Sequence, residues 1–130
     1  MIKNVFLFLL FLPFNFCFGQ TELTNFPAGA GPKEVGYRIA HRFITGKHML
    51  HAGKWISYPE TFYWTGSINY AHLTGDQELM QAMKDRFSKL TSSEQQLLPI
   101  KNHVDLNMFG SLPLRLYQLS KDNSYLDLGL

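Results

Sequence analysis

The chain has 130 residues, enough for one small domain. Charged residues make up 17% and aromatic residues 15%, a globular balance that excludes a disordered chain. The formal net charge is +2 and no Lys/Arg run stands out, so there is no electrostatic footprint for a nucleic-acid partner.

Residues 1–19 read as a secretory signal. Lys3 gives a short positive start, Val5 to Leu12 is an apolar run, Pro13 breaks it and Phe14 to Phe18 carries it on. Cys17 and Gly19 are the small residues at −3 and −1 of a cut before Gln20. The apolar stretch is too short and too broken for a membrane span. The expectation is therefore an exported protein, periplasmic or extracellular, with no stable membrane insertion after signal cleavage. An uncleaved membrane anchor is the alternative. Cys17 is the only cysteine, so the mature chain has no disulfide and no thiolate chemistry.

Residues 20–32, with Pro27, Gly29, Gly31 and Pro32, form a linker. The domain occupies 33–130. Val35, Ile39 and Phe43 recur on one helical stripe, and Gly46 ends that helix. Gly46 to Ser57 is a loop. A second helix opens at Pro59, a favoured first helical position, runs through Phe62, Thr65, Ile68 and Leu73, and stops at Gly75. Asp76 caps a third helix carrying Leu79, Met83, Phe87 and Leu90. Thr91 to Asp105 is a long connection, Met108 to Leu119 a fourth helix, and Asp122 caps a fifth from Tyr125. No strand is expected after Lys33.

Leu73-Thr74-Gly75-Asp76 is echoed 46 residues later by Leu119-Ser120-Lys121-Asp122. In both copies a helix ends in a tight turn and an Asp accepts the free N–H groups of the next. A helix hairpin repeated at this period builds a solenoid or a closed toroid. Tyr125 to Leu130 opens a helix with no C-cap, which points to a polypeptide cut short within a larger fold.

Two segments carry chemistry. One runs from Ile56 to Gly66, ISYPETFYWTG; the other from His103 to Leu114, HVDLNMFGSLPL, followed by Leu116-Tyr117 and the Lys121 to Asp127 turn. With the Leu73–Asp76 turn, they resemble the amino-terminal third of glycoside hydrolase families 88 and 105. These are the unsaturated glucuronyl and unsaturated rhamnogalacturonyl hydrolases. The resemblance runs from about Lys33 to Leu130, and the HVDxNxFGSxPL stretch is its most specific part.

The resemblance implies an all-α fold, here the helical hairpins of an incomplete six-hairpin (α/α) toroid. It also implies an oligosaccharide substrate ending in an unsaturated uronic acid, whose C4=C5 bond is protonated and hydrated. Neither metal nor organic cofactor is implied. Asp105 matches the first of two key aspartates and would hold substrate and catalytic water. The second, the acid, would lie beyond Leu130, leaving this chain an inactive fragment. Trp64 falls where the family stacks a tryptophan on a sugar, and His103 and Asn107 flank Asp105 as further substrate contacts.

Each assignment has a plainer alternative. Asp105 could simply be the N-cap of the fourth helix, and as a cap it would tolerate Asn. Trp64 could be a core aromatic, His103 and Asn107 merely structural, and Glu60 a partner for the helix dipole. His41, His48, His51 and His72 show no metal-ligand spacing. From a different functional class, a helical-repeat binding module would use Tyr58, Tyr63, Trp64 and Tyr70 to hold a glycan or peptide without catalysis.

Overall fold

The computed structural model describes residues 24–100 and 102–130. The signal segment and the cut before Gln20 lie outside the described residues. The described part is mostly helical. In chain order it contains α1 (Pro32–Thr45), a small antiparallel ribbon of β1 (Leu50–His51) and β2 (Trp55–Ile56), α2 (Pro59–Thr74) and α3 (Gln77–Leu90). A 3-10 turn at Gln95–Leu97 follows, then α4 (Val104–Phe109), α5 (Ser111–Ser120) and α6 (Asn123–Gly129).

α2 is the central element and packs on α1, α3 and α5, while α6 lies along α5. Its buried residues are Glu60, Thr61, Trp64, Ser67, Ile68 and Ala71, a stripe at three- and four-residue steps. The stripe is turned from the expected one: Phe62 and Leu73 face outward, 63% and 82% exposed. On α1, likewise, Ile39 is exposed and Ala40 joins Phe43 in the core. α3 buries Leu79, Met83, Phe87 and Leu90 as its periodicity requires.

The two Asp-capped turns have matching geometry. Gly75 and Lys121 are both left-handed, with φ of 69° and 60°. The Asp76 side chain accepts from the Leu79 amide at 2.9 Å, and Asp122 from the Ser124 amide at 2.9 Å.

Two expectations are corrected. The loop from Gly46 to Ser57 is not free of strand: Leu50 pairs with Ile56 and His51 with Trp55. Its turn is closed by the Lys54 amide donating to the His51 carbonyl at 2.9 Å. The central residues Ala52 and Gly53 both have positive φ, the geometry that joins tightly paired strands. The single fourth helix is instead two, α4 and α5, parted at Gly110. Pro113 has no N–H for the Phe109 carbonyl and its ring would crowd that group, so it is accommodated only in the first turn of a new helix.

Candidate functional site

Asp105 is the second residue of α4, not its cap. His103 is the cap: its Nδ1 accepts from the Asp105 amide at 3.2 Å. That frees the Asp105 carboxylate to face the ribbon. Its Oδ2 accepts from Trp55 Nε1 at 2.9 Å and its Oδ1 from the Tyr58 amide at 2.9 Å. His103 Nδ1 lies 3.1 Å from Oδ2. Asp105 is 2% exposed. Burial pushes its carboxyl up, but the Trp55 and Tyr58 hydrogen bonds and the charges of His103 and His51 outweigh burial. Together they hold it below the ordinary carboxylate value.

Three rings surround this carboxylate. His51 stacks on Trp55 with centroids 5.3 Å apart and planes at 16°. They are directly opposed across the ribbon, where such pairs stabilise a two-stranded element. His103 meets the edge of Trp55 at 5.4 Å. His51 is exposed, and Trp55 and His103 are partly so. The ribbon and α4 thus combine an ionised acceptor, an indole and two imidazoles in one place.

Of the residues singled out from sequence, the structure brings Asp105 and His103 together but not Asn107. Residues two apart on a helix do not share a face, which parts Asn107 from Asp105, and Asn107 is exposed. Trp64 cannot stack on a sugar where it sits. It is 0% exposed and lies at the centre of the core, edge-on to Phe43, Phe87 and Phe109 at 5.1, 6.1 and 6.4 Å. Its indole N–H donates to Glu60 Oε1 at 3.0 Å. The tryptophan beside Asp105 is Trp55. Its signal in the sequence was the spacing His51-Ala-Gly-Lys-Trp55, a Gly-containing turn between two ring residues.

Glu60 does more than face a helix dipole. It is fully buried and gathers His48 Nδ1 at 2.6 Å, the Met49 amide and Trp64 Nε1. His48 Nε2 reaches Glu94 Oε2 at 3.2 Å. The short Nδ1 contact makes that nitrogen a donor to Glu60. The Arg86 Nη2 at 3.3 Å from it therefore adds charge rather than a hydrogen bond. Arg86 spends Nη1 on the Ile44 and Gly46 carbonyls at 3.0 Å each, at the open end of α1. Burial draws the Arg86 guanidinium below its ordinary value, against the raising influence of Glu60 and Glu94. A 630 Å³ cleft opens beside this knot, lined by Lys47, His48, Arg86, Lys89 and Glu94. An apolar groove of 470 Å³ runs between α1 and α2, lined by Ile39, Phe62, Tyr63, Tyr70 and Leu73.

Among the described residues no group of three or more His, Cys, Asp or Glu side chains is placed to hold a metal ion. Among them, too, no helix is long and apolar enough to cross a membrane. The chain matches no known family, no curated protein and no solved structure.

Proposed function

We propose that this chain is the amino-terminal part of an (α/α)-toroid hydrolase acting on unsaturated glucuronyl or rhamnogalacturonyl oligosaccharides. The observation that carries the reading is Asp105. It lies in the HVDxNxFGSxPL segment, and its carboxylate is held ionised where the partly exposed rings of Trp55 and His103 meet exposed His51. A ring face and an acceptor side by side suit a sugar, whose C–H face stacks while its hydroxyls donate. The toroid itself draws support from α2 packing on α5 between flanking α1, α3 and α6. The apolar groove along α1 and α2 suits a further helical hairpin.

In this reading Asp105 positions the water that adds at C5 and binds the sugar that carries the double bond. The Asp105 carboxylate accepts from Trp55 and Tyr58 and lies beside His103. The resemblance assigns protonation of C4 to a second carboxylic acid, outside this cluster. The hemiketal that forms at C5 then opens to a C5 ketone, and the hemiacetal left at C1 breaks its bond to the aglycone, which departs as an alcohol while the former unsaturated residue becomes an open-chain 4-deoxy-5-keto sugar.

The test combines binding and turnover. The chain should bind an unsaturated uronyl disaccharide saturably, with a change in tryptophan emission that is lost in Trp55→Phe. It should not by itself bleach the absorbance of the conjugated double bond. In a protein that also supplies the acid, Trp55→Phe and Asp105→Asn should each slow bleaching, by about 10²-fold for the aspartate. Failure to bind either the glucuronyl or the rhamnogalacturonyl disaccharide would overturn the reading. The second reading, a non-catalytic glycan- or peptide-binding module, is favoured by the exposure of Tyr58 and Tyr63, 46% and 45%. Saturable binding of saturated glycans equal to that of unsaturated ones would support it.

A further inference from the structure

His103 Nδ1 stands in an ambiguous place. It lies 3.2 Å from the Asp105 amide nitrogen and 3.1 Å from the Asp105 Oδ2. The two contacts make opposite demands. The amide needs a lone pair on Nδ1, and the carboxylate needs a proton there. Neutral imidazole with its proton on Nε2 serves the amide; a proton on Nδ1, which the imidazolium must carry, serves the carboxylate instead.

We propose that His103 is the positioning residue of Asp105 and sets the availability of its carboxylate by taking up a proton. When His103 is neutral it caps α4, and Asp105 Oδ2 is held by Trp55 alone. When it is protonated, Nδ1–H turns to Oδ2, the amide loses its acceptor, and Oδ2 accepts from two donors, leaving it less free to accept from a sugar hydroxyl or a water. Among the described residues, the groups facing His103 are Asp105 from its own helix and, from the ribbon, His51 with neutral Trp55. His51, 6.2 Å away between ring centroids, opposes a second positive charge. The Asp105 carboxylate is much closer, with Oδ2 3.1 Å from His103 Nδ1. His103 is 34% exposed, so solvent weakens this pair and keeps the exchange reversible. The proposal rests on the Asp105 site described above for its consequence, but not for its detection.

The test is an NMR titration of the ¹⁵N-labelled chain without substrate. The His103 ring nitrogens report protonation directly, the Asp105 amide reports the cap, and the Trp55 indole N–H reports Oδ2. The amide and the indole should shift with the midpoint of the His103 ring. In His103→Asn, which keeps a capping oxygen but cannot charge, that dependence should vanish. His51→Asn should leave it in place. An Asp105 amide that stays fixed while the His103 ring titrates, or that follows His51 instead, would overturn the proposal. The wild-type titration decides this even if a variant fails to fold. In a parallel arm, binding of the unsaturated disaccharide should weaken on acidification in the wild type and stay flat in His103→Asn. No binding at any pH would count against the proposed activity and leave the switch standing.

Discussion

Asp105 and Glu60 are two buried carboxylates that grip the same segment from opposite ends. Glu60 takes His48 and the Met49 amide at its start; Asp105 takes Trp55 and the Tyr58 amide at its close. Asn at position 105 is consequently not the harmless exchange that a helix cap would allow. Its amide would set an N–H₂ against either the Trp55 or the Tyr58 donor, and leaving one of them unpaired costs about 1–3 kcal/mol. Urea unfolding of Asp105→Asn measures this; a loss below a few tenths would mean the two bonds contribute nothing. The sign with pH follows from the direction of the shift. The folded carboxyl is lowered from 3.8, so its stabilisation is fully present above that value. It is lost as pH falls through the lower folded value. An acid titration followed by Trp55 emission should show that loss in the wild type and not in Asp105→Asn. Glu60→Gln should cost more, about 3–5 kcal/mol, because it leaves the Arg86 guanidinium without its buried counter-charge and sets an amide N–H₂ against one of the donors from His48, Met49 and Trp64. Thermal unfolding by circular dichroism checks it. Of these residues only Asp105 was legible in the sequence, and through a motif. The partners of Glu60 at 48, 49 and 94 come from separate elements, so no local spacing announces them.

At the scale of elements, the α2–α3 and α5–α6 turns test whether one local rule acts twice. Both require a left-handed residue between a helix end and an Asp cap, and one copy has Gly75 where the other has Lys121. No atom lies near the site of a Cβ on Gly75, so backbone strain is the main difference, offset in part by the Lys121 ammonium 5.7 Å from the Tyr117 ring centroid. Lys121→Gly should therefore stabilise the chain by about 1 kcal/mol and Gly75→Lys should destabilise it by a similar amount. Equal midpoints in denaturant for Lys121→Gly and wild type would contradict this. The caps were readable because Asp bonds within three residues, and α3 was readable because its stripe meets a core on one side. The ribbon was not. Each of its strands has two residues, too few to show alternation, and its Ala52 adopts a left-handed conformation that sequence preference disfavours. α1 and α2 were found as helices but with the wrong faces. Apolar residues lie all round α2, and periodicity cannot choose between sides when both are apolar.

That second apolar side matters for the whole molecule. Ile39, Phe62, Tyr63 and Leu73 are exposed at 50, 63, 45 and 82% and line one groove. Its floor brings Gly36 against the Tyr70 ring, so close that a Cβ on Gly36 would stand 2.6 Å from it. Tyr70 is fixed there by its hydroxyl donating to the Lys33 carbonyl at 3.0 Å. A groove with a rigid floor and large apolar rims does not collapse on itself, and water against it is costly at about 25 cal/mol per Å². A chain presenting such a face should associate with itself. Sedimentation velocity should find species above the monomer, diminishing on dilution. Phe62→Lys combined with Leu73→Lys should shift the distribution to monomer. The helical circular dichroism should be unchanged, because neither side chain belongs to the core built on Trp64, Ile68 and Leu112. The same double variant should leave the pH response of the Asp105 amide intact, since His51, Trp55, Tyr58 and His103 are not among the residues that line the groove. A wild-type chain that sediments as a monomer at every concentration would mean that the exposed rims are solvated without penalty. The groove would then lend the toroid reading no support.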